Sequence, residues 1–383
     1  MPRLSPRILH QARKIDSLLP LVLQGTRDLA SAKNELRWLK EHVLSQQQNE
    51  QSLDSYSTQQ QLKKLCVDRA HGKPLQYIIG TEYFGDLEIA CEPGVLIPRQ
   101  ETAASVTFLI ERLLQRKNLP NHLKILDLCT GTGCIPLLAH YEAKHRRKHG
   151  QPPQFLEVVG VDISTQALNL ANKNLHRLAS AGYLGSNPSL HFLQADILAP
   201  DTSSNKKSNN PPSLASALHN YSTTSPYPHS THWDILISNP PYISPHAFNT
   251  TTQRSVKRYE PRLALVPPSH PTSSAEIDQG DIFYPRLLEI AAEVKAKIVL
   301  FEVADLEQAK RVAGMAKKQG GWDGVEIWRD WPGEDDDDDG AESGDMLAME
   351  EVKTRGTGNG RSVFAYRGDA RDWLGAEETL DTL

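Results

Sequence analysis

The sequence predicts an α/β fold: a doubly wound, mostly parallel sheet of seven strands preceded by a small helical domain. Three observations carry this. From about residue 124 onward, short near-continuous apolar runs alternate with helical stretches, the pattern of parallel strands buried on both faces. Three of these runs lead into an acid, at Asp127, Asp162 and Asp196, and the first is followed by a glycine-rich turn. Residues 8–72, by contrast, show helical periodicity only.

At 383 residues the chain can hold two or three domains. Its apolar share of 39% and charged share of 23% are those of an ordinary soluble protein, and no apolar run has the length of a membrane span. The formal net charge of −5 is local in origin. Ten acids and no base lie between Glu334 and Glu351, and outside that stretch 42 bases face 37 acids. A mildly basic body of this kind is no nucleic-acid footprint by itself. Cys66, Cys91, Cys129 and Cys134 form no C-x-x-C pair and no zinc pattern, so they read as reduced thiols in a reducing compartment. No secretory signal is expected. Arg3, Arg7, Arg13 and Lys14 precede the first acid, Asp16, which is either an organelle-targeting feature or simply a basic helix start.

In the helical domain Leu29, Ala32, Leu36, Leu39 and Val43 step by three and four and mark one helix face. Residues 49–61 are Gln/Ser-rich and read as a loop. A further helix through Leu62 and Leu65 stops at Gly72, with Pro74 just beyond. The expected strands are Lys124–Leu128, Glu157–Ile163, Leu190–Ile197, Trp233–Ser238, Lys297–Val303, Val325–Trp331 and Ser362–Arg367. Ser164 is placed to cap the helix after the second of these, and Gly320 and Gly321 close the helix that begins near Asp305. Residues 200–231 (Ser/Asn/Pro-rich) and 333–360 (acidic, Gly-rich) read as disordered insertions. The expected division is a helical domain over 1–76, a connector with a β-hairpin over 77–105, and the α/β domain over 106–383.

The chemistry begins with ILDLCTGTGCI, residues 125–135. Glycines at 131 and 133 let a backbone approach a ligand closely, and the next helix offers its N-terminal N–H groups. Asp162, at the end of the second strand, is placed to accept from two ribose hydroxyls. Asp196, ending the third, is placed to face an adenine amino group. Singly each acid can be a helix cap or a solvated strand end; in order along one sheet edge they outline a nucleoside pocket. A nicotinamide dehydrogenase shares that much. The deciding stretch is ILISNPPYIS, residues 235–244. Two successive prolines end the strand rigidly. Asn239, with the Pro240 carbonyl, can accept two N–H bonds from a planar amide or amino group, and Tyr242 can pack on its flat face. That suits in-line methyl transfer to a poorly nucleophilic nitrogen, where position and hydrogen bonding do most of the catalysis.

NPPYI after an apolar strand, with DLCTGTG upstream, resembles the motif pair of S-adenosylmethionine-dependent methyltransferases acting on planar nitrogens. PLQYIIGTEYFG (74–85), VLIPRQET (95–102), YEPRLAL (259–265) and GDIFYPRLL (280–288) are similar to segments of the HemK/PrmC family, the glutamine N5-methyltransferases of peptide-chain release factors. The resemblance covers roughly residues 20–330 and the last strand. It departs at Cys129, where the family commonly has Gly, and at Gln100, where it has Pro. It implies a Rossmann-like class I methyltransferase fold, S-adenosyl-L-methionine as methyl donor and no metal. The implied cofactor residues are Asp127, Thr130, Gly131, Thr132, Gly133, Asp162, Asp196, Ile197 and Asn239. The implied substrate residues are Asn239, Pro240, Pro241, Tyr242, Arg99 and Glu101, with Asn239, Pro240 and Tyr242 at the chemistry. The substrate would be the glutamine of the Gly-Gly-Gln motif in a class-I release factor, met by a monomer without nucleic acid or membrane. The family form with a helical N-terminal domain serves bacterial or organellar release factors; with the basic start, this makes a mitochondrial location the expectation and a cytoplasmic one the alternative. Two other readings stand beside it: a nucleobase amino methyltransferase, which must flip a base and usually carries a basic recognition region, and an inactive cofactor-binding translation partner, which has no need of an intact NPPY.

Overall fold

The structure, a computed structural model, describes residues 4–49, 55–115, 118–145, 153, 155–185, 188–200, 210–224, 232–269, 278–334 and 352–375. In chain order the helices are α1 (Pro6–Ile15), α2 (Leu19–Thr26), α3 (Leu29–Asn49), α4 (Ser55–Ala70), α5 (Leu75–Ile79), α6 (Gln100–Leu114), α7 (Cys134–His145), α8 (Thr165–Ser180), α9 (Leu214–Thr224), α10 (Pro245–Thr250), α11 (Arg254–Tyr259), α12 (Phe283–Glu293), α13 (Leu306–Gln319) and α14 (Ala370–Leu374). The strands are β1 (Thr81–Phe84), β2 (Leu87–Ala90), β3 (His122–Leu128), β4 (Phe155–Asp162), β5 (Leu190–Gln194), β6 (Ile235–Ser238), β7 (Ile298–Glu302), β8 (Gly324–Trp331), β9 (Lys353–Arg355) and β10 (Thr357–Tyr366). The chain divides into two compact units, Met1–Glu82 with Cys91–Ile97 and Thr251–Pro261, and Tyr83–Ala90 with Pro98–Thr250 and Arg262–Leu383.

The first unit is helical. Ser5 caps α1 by accepting from the Ile8 N–H, and Pro6 follows at the first helical position, where its missing donor costs nothing. The predicted face of α3 is the one buried: Ala32, Leu36, Leu39 and Val43 are all within the core. Ala32, Leu36 and Leu39 share one core with Leu19, Val22 and Leu23 of α2 and Cys66 of α4. A two-point ion pair, Arg69 Nε and Nη2 to Glu35 at 2.6 and 3.0 Å, clips α4 to α3. The loop expected over 49–61 gives way to α4 from Ser55 onward, and residues 50–54 lie outside those described. Glutamine is a good helix former, and Gln61 reaches Gln46 Oε1 of α3 at 2.6 Å. The later segments of this unit come together around Tyr77, whose hydroxyl donates to the Val95 carbonyl at 2.7 Å. Tyr77, Cys91, Ile97 and Tyr259 form a small apolar cluster of their own.

The second unit is built on an eight-stranded sheet in the order β5-β4-β3-β6-β7-β10-β8-β9. β5, β4, β3, β6 and β7 run parallel, and β10 lies antiparallel between β7 and β8. The order reverses between β3 and β6, which opens a crevice beyond the carboxyl ends of these two strands. Strand residues alternate between two cores. Ile125, Ile298 and Leu300 face one side with α6, α7 and α14; Leu126, Val299 and Phe301 face the other with α9, α12 and α13. Burial on both sides is why these strands read as unbroken apolar runs.

Two expectations need correction. The sheet has eight strands, not seven. The extra one, β9, lies inside the 333–360 segment expected to be disordered, pairing with Glu326–Trp328 at the sheet edge. Three residues with a Lys and an Arg make a short, charged edge, and Arg355 is fixed by Glu326 Oε2 at 3.2 Å. The second correction is α9, inside the 200–231 segment also expected to be disordered. Leu214 and Ala217 are buried, Leu218 and Tyr221 pack against the same core, and the Tyr221 hydroxyl donates to the buried Glu157 at 3.0 Å. These positions follow the i, i+3, i+4, i+7 spacing of one helix face. The remaining residues of both segments lie outside those described.

Candidate active site

The glycine turn connects β3 to α7. Its backbone bends through left-handed conformations at every second residue, Cys129, Gly131 and Gly133, at φ 65°, 57° and 76°. Thr130 donates to the Val161 carbonyl of β4 at 2.9 Å, and Gly133 to the Thr130 carbonyl at 2.9 Å. Asn174 of α8, fully buried, donates to the Thr132 carbonyl at 3.0 Å. The two glycines differ in what surrounds them. A Cβ at Gly133 would lie 2.7 Å from the Phe192 ring and 3.0 Å from Ala171, whereas one at Gly131 would meet nothing within 4 Å. Gly133 is therefore a packing requirement, and Gly131 faces open space at the crevice.

Asp162 ends β4 as predicted. Its carboxylate accepts from the Gly131 N–H at 2.9 Å and the Ser164 N–H at 2.9 Å, so it anchors the glycine turn itself. Asp127 is fully buried at the turn's entry, and neither of its oxygens, nor the Thr130 or Thr132 hydroxyl, has a hydrogen-bond partner among the described residues. Burial raises the pKa of both acids above the ordinary aspartate value, for Asp127 strongly and with the nearby Asp162 adding to it. Desolvation, together with the charges of Asp162, Asp127 and Asp196, pushes the half-buried Cys129 thiol well up. Asp196 lies two residues beyond the end of β5 rather than within it. Its Oδ1 accepts from the Leu198 N–H at 2.9 Å, and its backbone bridges to Ser213. Ile197 is buried beside it.

Asn239 follows β6 directly, and the Ser238 hydroxyl ties the end of β6 to the Leu128 carbonyl of β3 at 2.8 Å. This lock brings Asn239 and the glycine turn to adjacent strand ends. The Asn239 side chain makes no hydrogen bond with the described residues, while Pro240 and Pro241 are buried. Tyr242 is held from outside the motif: its hydroxyl donates to Glu302 Oε1 at 3.1 Å, and its carbonyl accepts from Gln308 Nε2 at 3.3 Å. Glu302, at the end of β7, also accepts from the Thr102 hydroxyl through its other oxygen, and its carbonyl accepts from Tyr284 at 2.8 Å. Burial raises the Glu302 pKa, against the opposing Thr102 hydrogen bond and the Arg361 and Arg99 charges. The Arg99 charge acts on both Glu302 and Tyr242. Glu101 sits in the first turn of α6, and no described hydrogen bond or ion pair ties it to the crevice. Glu302 and Gln308 are absent from the sequence-derived set. Glu302 carried a usable signal, being an acid at the carboxyl end of a parallel strand like Asp127 and Asp162.

Both departures noted in the sequence have a backbone explanation. Cys129 occupies a left-handed position that glycine adopts without strain. Gln100 is the first residue of α6, where proline is preorganised; its side chain donates to the Tyr83 carbonyl instead.

A doubly wound sheet with a glycine turn, acids at successive strand ends and NPPY across the switch point defines a class I methyltransferase acting on a planar nitrogen. No family model matches the chain. Curated relatives do. The chain is 32% identical over 326 residues to the probable MRF1 mitochondrial N(5)-glutamine methyltransferase mtq1 of Schizosaccharomyces pombe, covering 82% of this chain and 89% of that protein. It is 35% identical to the mitochondrial MRF1 N(5)-glutamine methyltransferase MTQ1 of Saccharomyces cerevisiae over 70% of this chain and 68% of that one. A Bacillus subtilis release factor glutamine methyltransferase matches at 31% over 69% and 74%. The chain belongs to the release factor glutamine methyltransferase family, HemK/PrmC. Among solved structures the METTL16 methyltransferase domain aligns over 80% of this chain and 81% of that chain at 13% identity and a TM-score of 0.40, too distant to bear on function.

Proposed function

We propose that this enzyme transfers the methyl group of S-adenosyl-L-methionine to the side-chain amide nitrogen of the Gly-Gly-Gln glutamine in a mitochondrial class-I release factor. The observation that carries the reading is Asn239, an amide with no hydrogen-bond partner among the described residues, at the end of β6 and locked beside the glycine turn of β3. The relatives named for mitochondrial MRF1 support the substrate and the compartment.

The residues present fit the cofactor. Gly131 leaves room for close backbone approach. Asp127, Thr130 and Thr132 offer buried polar atoms in need of partners, and two carboxylates disfavoured by burial suit a cationic ligand. Asp162 and Asp196 would hold its ribose and adenine, with Gly133 shaping the turn and Ile197 giving an apolar contact. The bound cofactor supplies an electrophilic methyl on a sulfonium. The chain's own contribution is placement. Asn239 Oδ1 and the Pro240 carbonyl accept the two amide hydrogens and aim the nitrogen lone pair, Pro241 makes the bend rigid, and Tyr242 packs on the amide plane. Arg99 and Glu101, at the start of α6, would meet the peptide flanking the glutamine. Incubation with labelled S-adenosylmethionine and recombinant mitochondrial release factor, followed by mass spectrometry of the Gly-Gly-Gln peptide, tests this. Methyl on the glutamine nitrogen is expected. Transfer to nucleic acid and none to the release factor would defeat the reading.

A further inference from the structure

We propose that Glu302 is a positioning residue that aims the Tyr242 ring at the substrate amide, with Gln308 fixing the main chain of the same residue; the inference rests on the glutamine-methylation reading of the site. Two prolines set the path of the backbone into Tyr242 but leave its first side-chain torsion free to choose among staggered wells. The hydrogen bond from its hydroxyl to Glu302 at 3.1 Å pins the far end of the ring and so selects one of them. Gln308, 3% exposed, holds the other end. Its Nε2 donates to the Tyr242 carbonyl at 3.3 Å, the Gly280 carbonyl at 3.2 Å and Asp281 at 2.8 Å, while its Oε1 accepts from the Ala304 N–H at 2.7 Å. Gly280 is packed beneath the same carbonyl, where a Cβ would come within 2.8 Å.

The chemistry favours a carboxylate at this place. Thr102 and Tyr242 both turn hydroxyl donors on Glu302, and a carboxylate accepts both without offering a donor of its own. A glutamine would present its NH2 to one of them. A buried acid is also a costly way to fill a core, and 4% exposure leaves Glu302 little contact with water. Arg361 and Arg99 provide the compensating positive charge. The ring that forms one wall of the substrate pocket is thus oriented from β7 and α13 rather than from NPPY itself.

The test is a double-mutant cycle on methyl transfer. Glu302→Gln and Tyr242→Phe should each lower the single-turnover rate about tenfold at saturating cofactor and release factor. Cofactor affinity should stay within about twofold, and the double variant should be no slower than the slower single one within about the same factor. Thr102→Val, which leaves the Tyr242 hydrogen bond in place, should keep a near-normal rate. A wild-type rate in Glu302→Gln, losses that multiply in the double variant, or an equal loss in Thr102→Val would overturn the proposal. Hydrogen exchange gives a readout that needs no substrate: amides of residues 242–248 should exchange faster in Glu302→Gln, and in Tyr242→Phe should Glu302→Gln not fold, while β4 is unchanged. Unchanged exchange at 242–248 would equally overturn it. If the wild-type chain fails to methylate the release factor, the substrate assignment falls and the exchange measurement still decides this inference.

Discussion

Alanine at Gly131 and at Gly133 should give opposite phenotypes, although the substitutions are chemically identical and two residues apart. Both positions have left-handed φ, 57° and 76°, so each variant carries a backbone penalty of roughly 1–2 kcal/mol. At Gly133 the new Cβ also meets the Phe192 ring at 2.7 Å and Ala171 at 3.0 Å, adding about 1–3 kcal/mol of overpacking. Gly133→Ala should therefore lose about 2–5 kcal/mol of stability. Gly131→Ala meets no protein atom within 4 Å and should lose only the backbone term. Its methyl group instead occupies space assigned to S-adenosylmethionine. A clash of about 1–3 kcal/mol there weakens binding roughly 5- to 150-fold. Equilibrium urea unfolding and titration calorimetry with the cofactor measure the two quantities separately. Gly131→Ala with wild-type affinity would remove the open face of the turn from the cofactor site; Gly133→Ala with only the backbone penalty would refute the packing argument.

Asn239→Ala should slow the chemical step about a hundredfold or more, the usual cost of one positioned polar group, with cofactor affinity changed little; near-normal single-turnover chemistry would reduce NPPY to a structural turn. Replacing residues 203–230 by a short Gly/Ser bridge should markedly lower the melting temperature, because α9 carries the buried Leu214 and Ala217; Leu214→Ala alone should cost about 2–5 kcal/mol, and an unchanged unfolding midpoint would show that α9 contributes nothing to the core. Cys129→Gly relieves roughly 1–2 kcal/mol of left-handed strain and gives up about 1 kcal/mol of packing, so urea unfolding should place it within about 1 kcal/mol of wild type, and a larger loss would mean that the thiol's contacts outweigh its strain.

The sheet and the strand ends that carry the candidate cofactor residues were legible because they rest on signals that a linear sequence carries. Continuous apolar runs follow from two buried faces, and an acid where such a run stops marks the carboxyl end of a strand. NPPY was legible because two prolines permit so few conformations. What escaped is of another kind. The apolar stripe of α9 spans a single eleven-residue helix and is diluted by Ser, Asn, His and Thr, so composition masked periodicity. β9 has three residues and exists only because Glu326–Trp328 offers it an edge. Sequence showed that Cys129 was unusual, but its reason is a dihedral angle. Gly131 and Gly133 look alike until Phe192, some sixty residues away, is placed against one of them. The hold of Glu302 on Tyr242 spans a similar separation and is likewise a product of tertiary structure.

The position of β10 sets the order in which the sheet can be completed during synthesis. Among the described strands it is the last to leave the ribosome, yet it lies between β7 and β8, with Val363 paired to Phe301 on one side and Ile327 on the other. Until residue 366 has emerged, β8 cannot join the parallel strands, and β7, buried along its whole length in the finished protein, presents an open apolar edge. Such an edge is a template for pairing with other chains. A chain ending before residue 357 therefore yields two unsatisfied edges rather than a shortened enzyme, and the nascent protein depends on residues 357–366, or on a chaperone holding β7, to avoid aggregation.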